Sequence, residues 1–123
     1  MAPSVFADNE LHLMIHVLDR IIPSGEGFPG AGEAGIADYI SKQAAHSPEL
    51  KQSLTKGLAD IELGSDFAFA KLSDAEKDSV LRKIEIEEPD FFNRLLIQTY
   101  NGYYTRSDIL KLLDMEYRPP QPL

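Results

Sequence analysis

The 123-residue chain contains no cysteine. Disulfides, thiol nucleophiles, iron–sulfur clusters and Cys-ligated zinc are therefore excluded together, while compartment stays open. Long apolar runs are also missing. Nothing approaches the ~20 consecutive apolar residues that a bilayer-crossing helix needs. Basic charge is scarce: 12 Lys and Arg face 20 Asp and Glu, for a net charge of −8 and a pI near 4.7. The basic residues are dispersed, so no patch exists to attract a phosphate backbone or an anionic membrane surface. Met1 to Asn9 carries no Lys or Arg, no apolar stretch follows it, and no Arg-Arg pair occurs anywhere. As written the sequence reads as cytoplasmic, or as periplasmic if a leader has been removed.

Catalytic signatures are absent as well. No Gly-Lys-Ser/Thr follows the Gly-rich segment, which excludes a P-loop. A helix rather than a strand precedes that segment, which argues against a dinucleotide fingerprint. There is no Gly-x-Ser-x-Gly elbow. No segment alternates with period two, and no internal repeat is visible. What remains is 43% apolar and 26% charged, the composition of a soluble globular protein. The reading is one all-α domain of five to six short helices over residues 1–123. Residues 1–8 form an N-terminal arm and 116–123 an extended Pro-rich tail.

The helices follow from spacing and punctuation. Asp8 or Asn9 can cap a first helix through Ile22. Leu11, Met14, Ile15, Leu18, Ile21 and Ile22 share one face, which Leu13 and Val17 widen. Pro23 ends it, and Pro23 to Gly32 is an irregular Gly/Pro loop. A second helix is expected over Glu33–Ala45, with Ile36, Tyr39, Ile40 and Gln43 at helical spacing. Ser47-Pro48 starts a third, which carries Leu50, Leu54, Leu58 and Ile61 and ends at Gly64 as a left-handed cap. Gly57 inside it marks a close helix crossing. Ser73-Asp74-Ala75-Glu76 is a capping box that opens a fourth helix. Pro89 opens a fifth through Tyr104, with Phe91, Phe92, Leu95, Leu96, Thr99, Tyr100 and Tyr103 on one arc. Ser107 caps a last short helix to about Leu113. Three prolines hold the tail extended.

Few side chains point to chemistry. His12 and His16 stand four apart, a spacing that can chelate a metal, with Asp8 and Asp19 beside them. Both also border the apolar stripe, and no HExxH pattern or third ligand is present, so no metal site is assigned. His46 falls at a helix C-terminus, where it complements the dipole. Glu85, Glu87, Glu88 and Asp90 read as a solvated acidic face. Ser24, Ser47, Ser73 and Ser107 sit in loops or caps. No catalytic or cofactor-binding residue is assigned. Tyr104 falls off the apolar arc, and Tyr117 belongs to the tail. Tyrosines beside prolines suit a protein interface. The candidate interface is Phe28 and Pro29 in the loop, Tyr104, and Tyr117, Arg118, Pro119, Pro120 and Pro122 in the tail.

Two blocks resemble the gluconate 2-dehydrogenase subunit 3 family. One is Asp19-Arg20-Ile21-Ile22-Pro23 with Phe28-Pro29-Gly30-Ala31-Gly32-Glu33-Ala34-Gly35-Ile36-Ala37-Asp38-Tyr39-Ile40. The other is Thr99-Tyr100-Asn101-Gly102-Tyr103-Tyr104-Thr105, closed by Tyr117-Arg118-Pro119-Pro120-Gln121-Pro122. The resemblance implies an all-helical small subunit without a flavin of its own. It would bind, and stabilise or mature, a large FAD-containing sugar or polyol dehydrogenase subunit of the glucose–methanol–choline type. Some such complexes add a cytochrome c subunit. Many members begin with a twin-arginine signal, which this sequence does not show. The alternative reading is a free-standing helical interaction or regulatory domain, such as a homodimer.

Overall fold

Local capping and apolar spacing divide the chain into five α-helices and one 3-10 turn. The computed structural model describes residues 5–66, 68–106 and 109–111. In chain order the elements are α1 (Asp8–Ile21), α2 (Ile36–Ala45), α3 (Pro48–Gly64), a 3-10 turn (Phe69–Lys71), α4 (Asp74–Glu87) and α5 (Pro89–Tyr104). Among the described residues the all-α expectation is met. The expected helix from Ser107 falls largely outside them, although 109–111 are helical. The extended tail and its residues Tyr117, Arg118, Pro119, Pro120 and Pro122 lie outside the described residues.

Three helix starts illustrate how far local chemistry reaches. Ser47 Oγ accepts the Leu50 N–H at 3.2 Å. Ser73 and Glu76 exchange the two bonds of a capping box, at 3.2 and 3.1 Å. α1 differs from expectation: its cap is Ala7, not Asp8 or Asn9. Ala has no capping oxygen, so Glu10 reaches back instead, its Oε1 accepting the Ala7 N–H at 2.8 Å. Two further expectations are corrected. α2 begins at Ile36, not Glu33, because the preceding residues form a turn held from α1. At the end of α3, Gly64 remains helical, and the left-handed residue is Asp66, with φ 52°.

α1, α3 and α5 each pack against the other four helices. Their fully buried side chains include Met14, Val17 and Leu18 from α1, Leu54 and Ile61 from α3, and Leu95 from α5. In α1 the buried stripe runs through Leu13, Met14, Val17 and Leu18, while Ile15 is exposed. In α2 Ile36, Ala37, Ile40, Ser41 and Ala44 turn inward and Gln43 faces out. Gly57 of α3 meets α5 closely, since a Cβ there would overlap the Phe91 ring. This is the crossing that the mid-helix glycine foretells.

α1 and α4 are joined by polar contacts. Arg20 makes a forked pair with Asp78, at 2.8 and 3.0 Å, and lies 3.4 Å from Asp74. The hydrogen bond from Arg20 holds the Asp78 carboxyl below its ordinary pKa. One turn earlier on α1, His16 faces Lys77, a buried lysine whose Nζ sits 5.9 Å from the centre of the Phe69 ring. Burial lowers the His16 pKa below its ordinary value. Lys77 and His12 add to that effect, and Asp19 opposes it.

That shift has a pH consequence. The unfolded chain takes up the His16 proton near pH ~6.5 and the folded protein only lower down. His16 therefore contributes stability above that value that is lost as pH falls toward the folded pKa. The urea midpoint is expected to drop between about pH 7.5 and 5.5, and His16→Gln should flatten that drop. An equal slope in the variant would remove His16 as its source. Asp78 and Glu76, both held below the usual carboxylate range, act only near pH ~4.

Candidate partner interface

Between α1 and α2 the chain has to leave one helix and enter another through a stretch rich in glycine and proline. It does so in two turns. Gly25 and Phe28 exchange backbone hydrogen bonds at 3.0 and 2.9 Å, across Glu26 and Gly27, with φ 53° and 86°. Two successive left-handed residues make a tight primed-type turn. Glycine enters that region freely, whereas Glu26 bears a steric cost there. Phe28 and Pro29 follow, half-buried rather than fully presented.

The second turn, Gly30 to Gly35, is seated on α1. Asp19 Oδ1 accepts the Gly32 N–H at 2.8 Å and the Glu33 N–H at 3.2 Å. The approach is so close that a Cβ on Gly32 would strike the Ile15 carbonyl oxygen and the Asp19 carboxylate. Gly35, with φ 79°, then redirects the chain into α2. Asp19 thus does for this turn what a capping residue does for a helix. It supplies a carboxylate to backbone N–H groups that would otherwise lack a partner.

The C-terminal end of α5 holds the same loop from the other side. Tyr103 is buried, and its hydroxyl donates to the Pro29 carbonyl at 2.6 Å across 74 positions of sequence. The Arg106 guanidinium donates to the Ala34 carbonyl. Gly102 lies against the Tyr39 ring of α2, with no room for a side chain between them. The Gly/Pro loop of the first resembling block is therefore tied to the Gly102–Tyr103 part of the second. Next to it, Tyr104 packs edge-on against Tyr103 at 5.0 Å and stacks on Tyr100 at 6.0 Å. Tyr100 and Tyr104 remain 43% and 44% exposed although they touch each other.

Of the expected interface residues, Phe28, Pro29 and Tyr104 gather around this junction, and the tail residues lie outside the described set. The helical spacing predicts Tyr100 and Tyr103 on one apolar arc of the fifth helix. Tyr103 is indeed buried, yet its hydroxyl is what fixes the loop, and Tyr100 is open. The signal for Tyr103 is that a buried tyrosine needs a partner for its hydroxyl. Asp19, which stands beside the histidines and opens the first resembling block, is the loop anchor, and no local pattern announces that.

The other candidates hold less. His12 and His16 meet edge to face at 4.8 Å. Among the described residues no three His, Asp or Glu side chains are arranged to hold a metal. His46 is the C-terminal cap residue of α2. Glu85, Glu87 and Asp90 are exposed, while Glu88 is half-buried and pairs with Lys56 at 2.8 Å. Lys56 also pairs with Asp60 at 3.1 Å. No helix among the described residues is long and apolar enough to cross a membrane.

Residues 8–120 match a family model described as Gluconate 2-dehydrogenase subunit 3. Comparison with curated proteins and with solved structures returns no match.

Proposed function

The chain belongs to the gluconate 2-dehydrogenase subunit 3 family, and we propose that it is a non-catalytic subunit that binds and stabilises a large FAD-containing sugar dehydrogenase. The supporting observation is the junction of the Gly/Pro loop with the end of α5. The loop is fixed from α1 by Asp19, from α5 by Tyr103, and by Arg106 just beyond the end of α5. Fixing it beforehand reduces the entropy lost on docking. The adjoining open tyrosines are, with Trp and Arg, a residue type enriched among interface anchors. In this reading the flavin and the reacting groups belong to the partner. This chain contributes surface, and its −8 charge favours a partner face of opposite sign.

The test is a pull-down from native lysate of the whole chain, tagged at the N-terminus, with the eluate read by visible spectrum and by size. A yellow eluate with flavin bands and one larger partner is the expected result. The partner expressed without this chain should then hold less flavin and melt at a lower temperature. A colourless lone chain or homodimer, or a partner with full flavin content and stability by itself, overturns the proposal.

A further inference from the structure

The N-terminal turn of α1 lies along the C-terminal half of α3, and a groove of about 550 Å³ runs between them. Its floor is apolar, formed by the buried Leu13 and Leu58. Ala59 and Leu63 form one wall, and Leu63 is 60% exposed although it is a large aliphatic side chain. The charged residues that line the groove are Glu10 and Glu62, both acidic. No Lys or Arg among the described residues lines it.

The helix ends reinforce that sign. The positive pole of α1 opens onto the groove but carries Asp8 and Glu10 in its first turn. The negative pole of α3 has no basic residue in its last turn. A helix end represents only about half an elementary charge, so the two carboxylates more than cancel the α1 pole. The α3 pole and Glu62 add to the negative side. The apolar floor thus runs beside Glu10 and Glu62 over about two and a half turns of α3.

We infer that this groove receives a basic amphipathic helix of a partner protein, with its apolar stripe on Leu13, Leu58 and Leu63 and Lys or Arg against Glu10 and Glu62. The volume lies within the ~300–1,000 Å³ of ligand clefts, but a small molecule needs most of its surface enclosed. Here the Leu63 wall is open. A helix laid lengthwise matches an open trough between two helices, the helix-in-groove mode of recognition. A second copy of the chain, itself at −8, brings the wrong charge. The groove uses none of the loop or tyrosine residues of the proposed subunit interface, so the two assignments stand or fall separately.

The test uses a designed Leu/Lys amphipathic helical peptide, its Leu/Glu counterpart, and amide chemical-shift mapping on the intact chain. The Leu/Lys peptide is expected to shift the first turn of α1 and residues 55–63 of α3. Glu62→Lys and Leu63→Ser should each weaken it about tenfold, since each removes one half of the complementarity. Glu85→Lys, on the remote acidic face, controls for general attraction to an acidic protein and should change affinity less than about threefold, as expected of a distant charge screened by salt. The inference is overturned by shifts that map elsewhere, by equal loss from Glu85→Lys, or by equal binding of the Leu/Glu peptide. It is equally overturned by no binding, or by concentration-dependent shifts showing that the chain fills the groove with itself.

Discussion

Phe91→Ala is expected to cost about 3–5 kcal/mol of unfolding free energy and to reverse the sign of a second substitution, Gly57→Ala. Phe91 is buried, and its ring occupies the space that a Cβ on Gly57 would need. In the natural chain, Gly57→Ala gains about 1 kcal/mol of helix propensity and forces a methyl group into that ring, at about 1–3 kcal/mol or more for a close-packed site. The net result is a loss. In the Phe91→Ala background the ring is gone and the methyl enters vacated volume. The same substitution then stabilises by about its propensity gain. Urea unfolding of the two single variants, the double variant and the natural chain measures the coupling. A Gly57→Ala effect of equal size and sign in both backgrounds would falsify the close-crossing account. The cycle is informative because it subtracts what the two positions do independently.

The same pair shows what the sequence makes legible. Gly57 interrupts an otherwise good helix, and a glycine kept there at a propensity cost points to a close approach. The sequence does not say that Phe91 is what approaches. Ser47-Pro48, the Ser73 capping box and Pro89 were readable for the same kind of reason, since each acts within four residues of itself. The misread positions depend on distant partners. α2 starts late because Asp19, on another helix, holds the backbone N–H groups of Gly32 and Glu33. For the candidate interface, the helical count predicts Tyr104 outside the apolar arc, and the structure leaves it open. The same count predicts Tyr100 on the apolar arc, although it is exposed. An arc of half a circumference is wider than the strip that neighbouring helices cover. The resemblance identified two blocks of sequence, and only the fold shows that Tyr103 joins them through Pro29.

The neighbouring tyrosines Tyr103 and Tyr104 are expected to separate stability from association. Tyr103→Phe keeps the buried ring and deletes the hydroxyl that donates to the Pro29 carbonyl. It should lower stability by about 1 kcal/mol, the net worth of one hydrogen bond, with some added cost for the carbonyl left unpaired. Tyr104→Ala removes a ring that is 44% exposed, so the melting temperature should hardly move. Its effect belongs to the complex. If the junction is where the flavoprotein docks, an aromatic anchor at its centre is worth about 2–3 kcal/mol, or about 30- to 150-fold in affinity. Tyr103→Phe should weaken the complex only through the loosened loop, by less than Tyr104→Ala. Affinity for the captured flavoprotein and thermal melting of the free chain, measured on both variants, give the comparison. A Tyr104→Ala chain that binds as tightly as the natural one would move the interface away from this junction, even if the flavoprotein is still captured. A Tyr104→Ala chain that melts early would show instead that the Tyr100–Tyr104 stack is part of the fold. The prediction rests on a division of labour that chemistry assigns to adjacent residues: a hydroxyl turned inward to a carbonyl holds the loop, and a ring left in water is free to be covered.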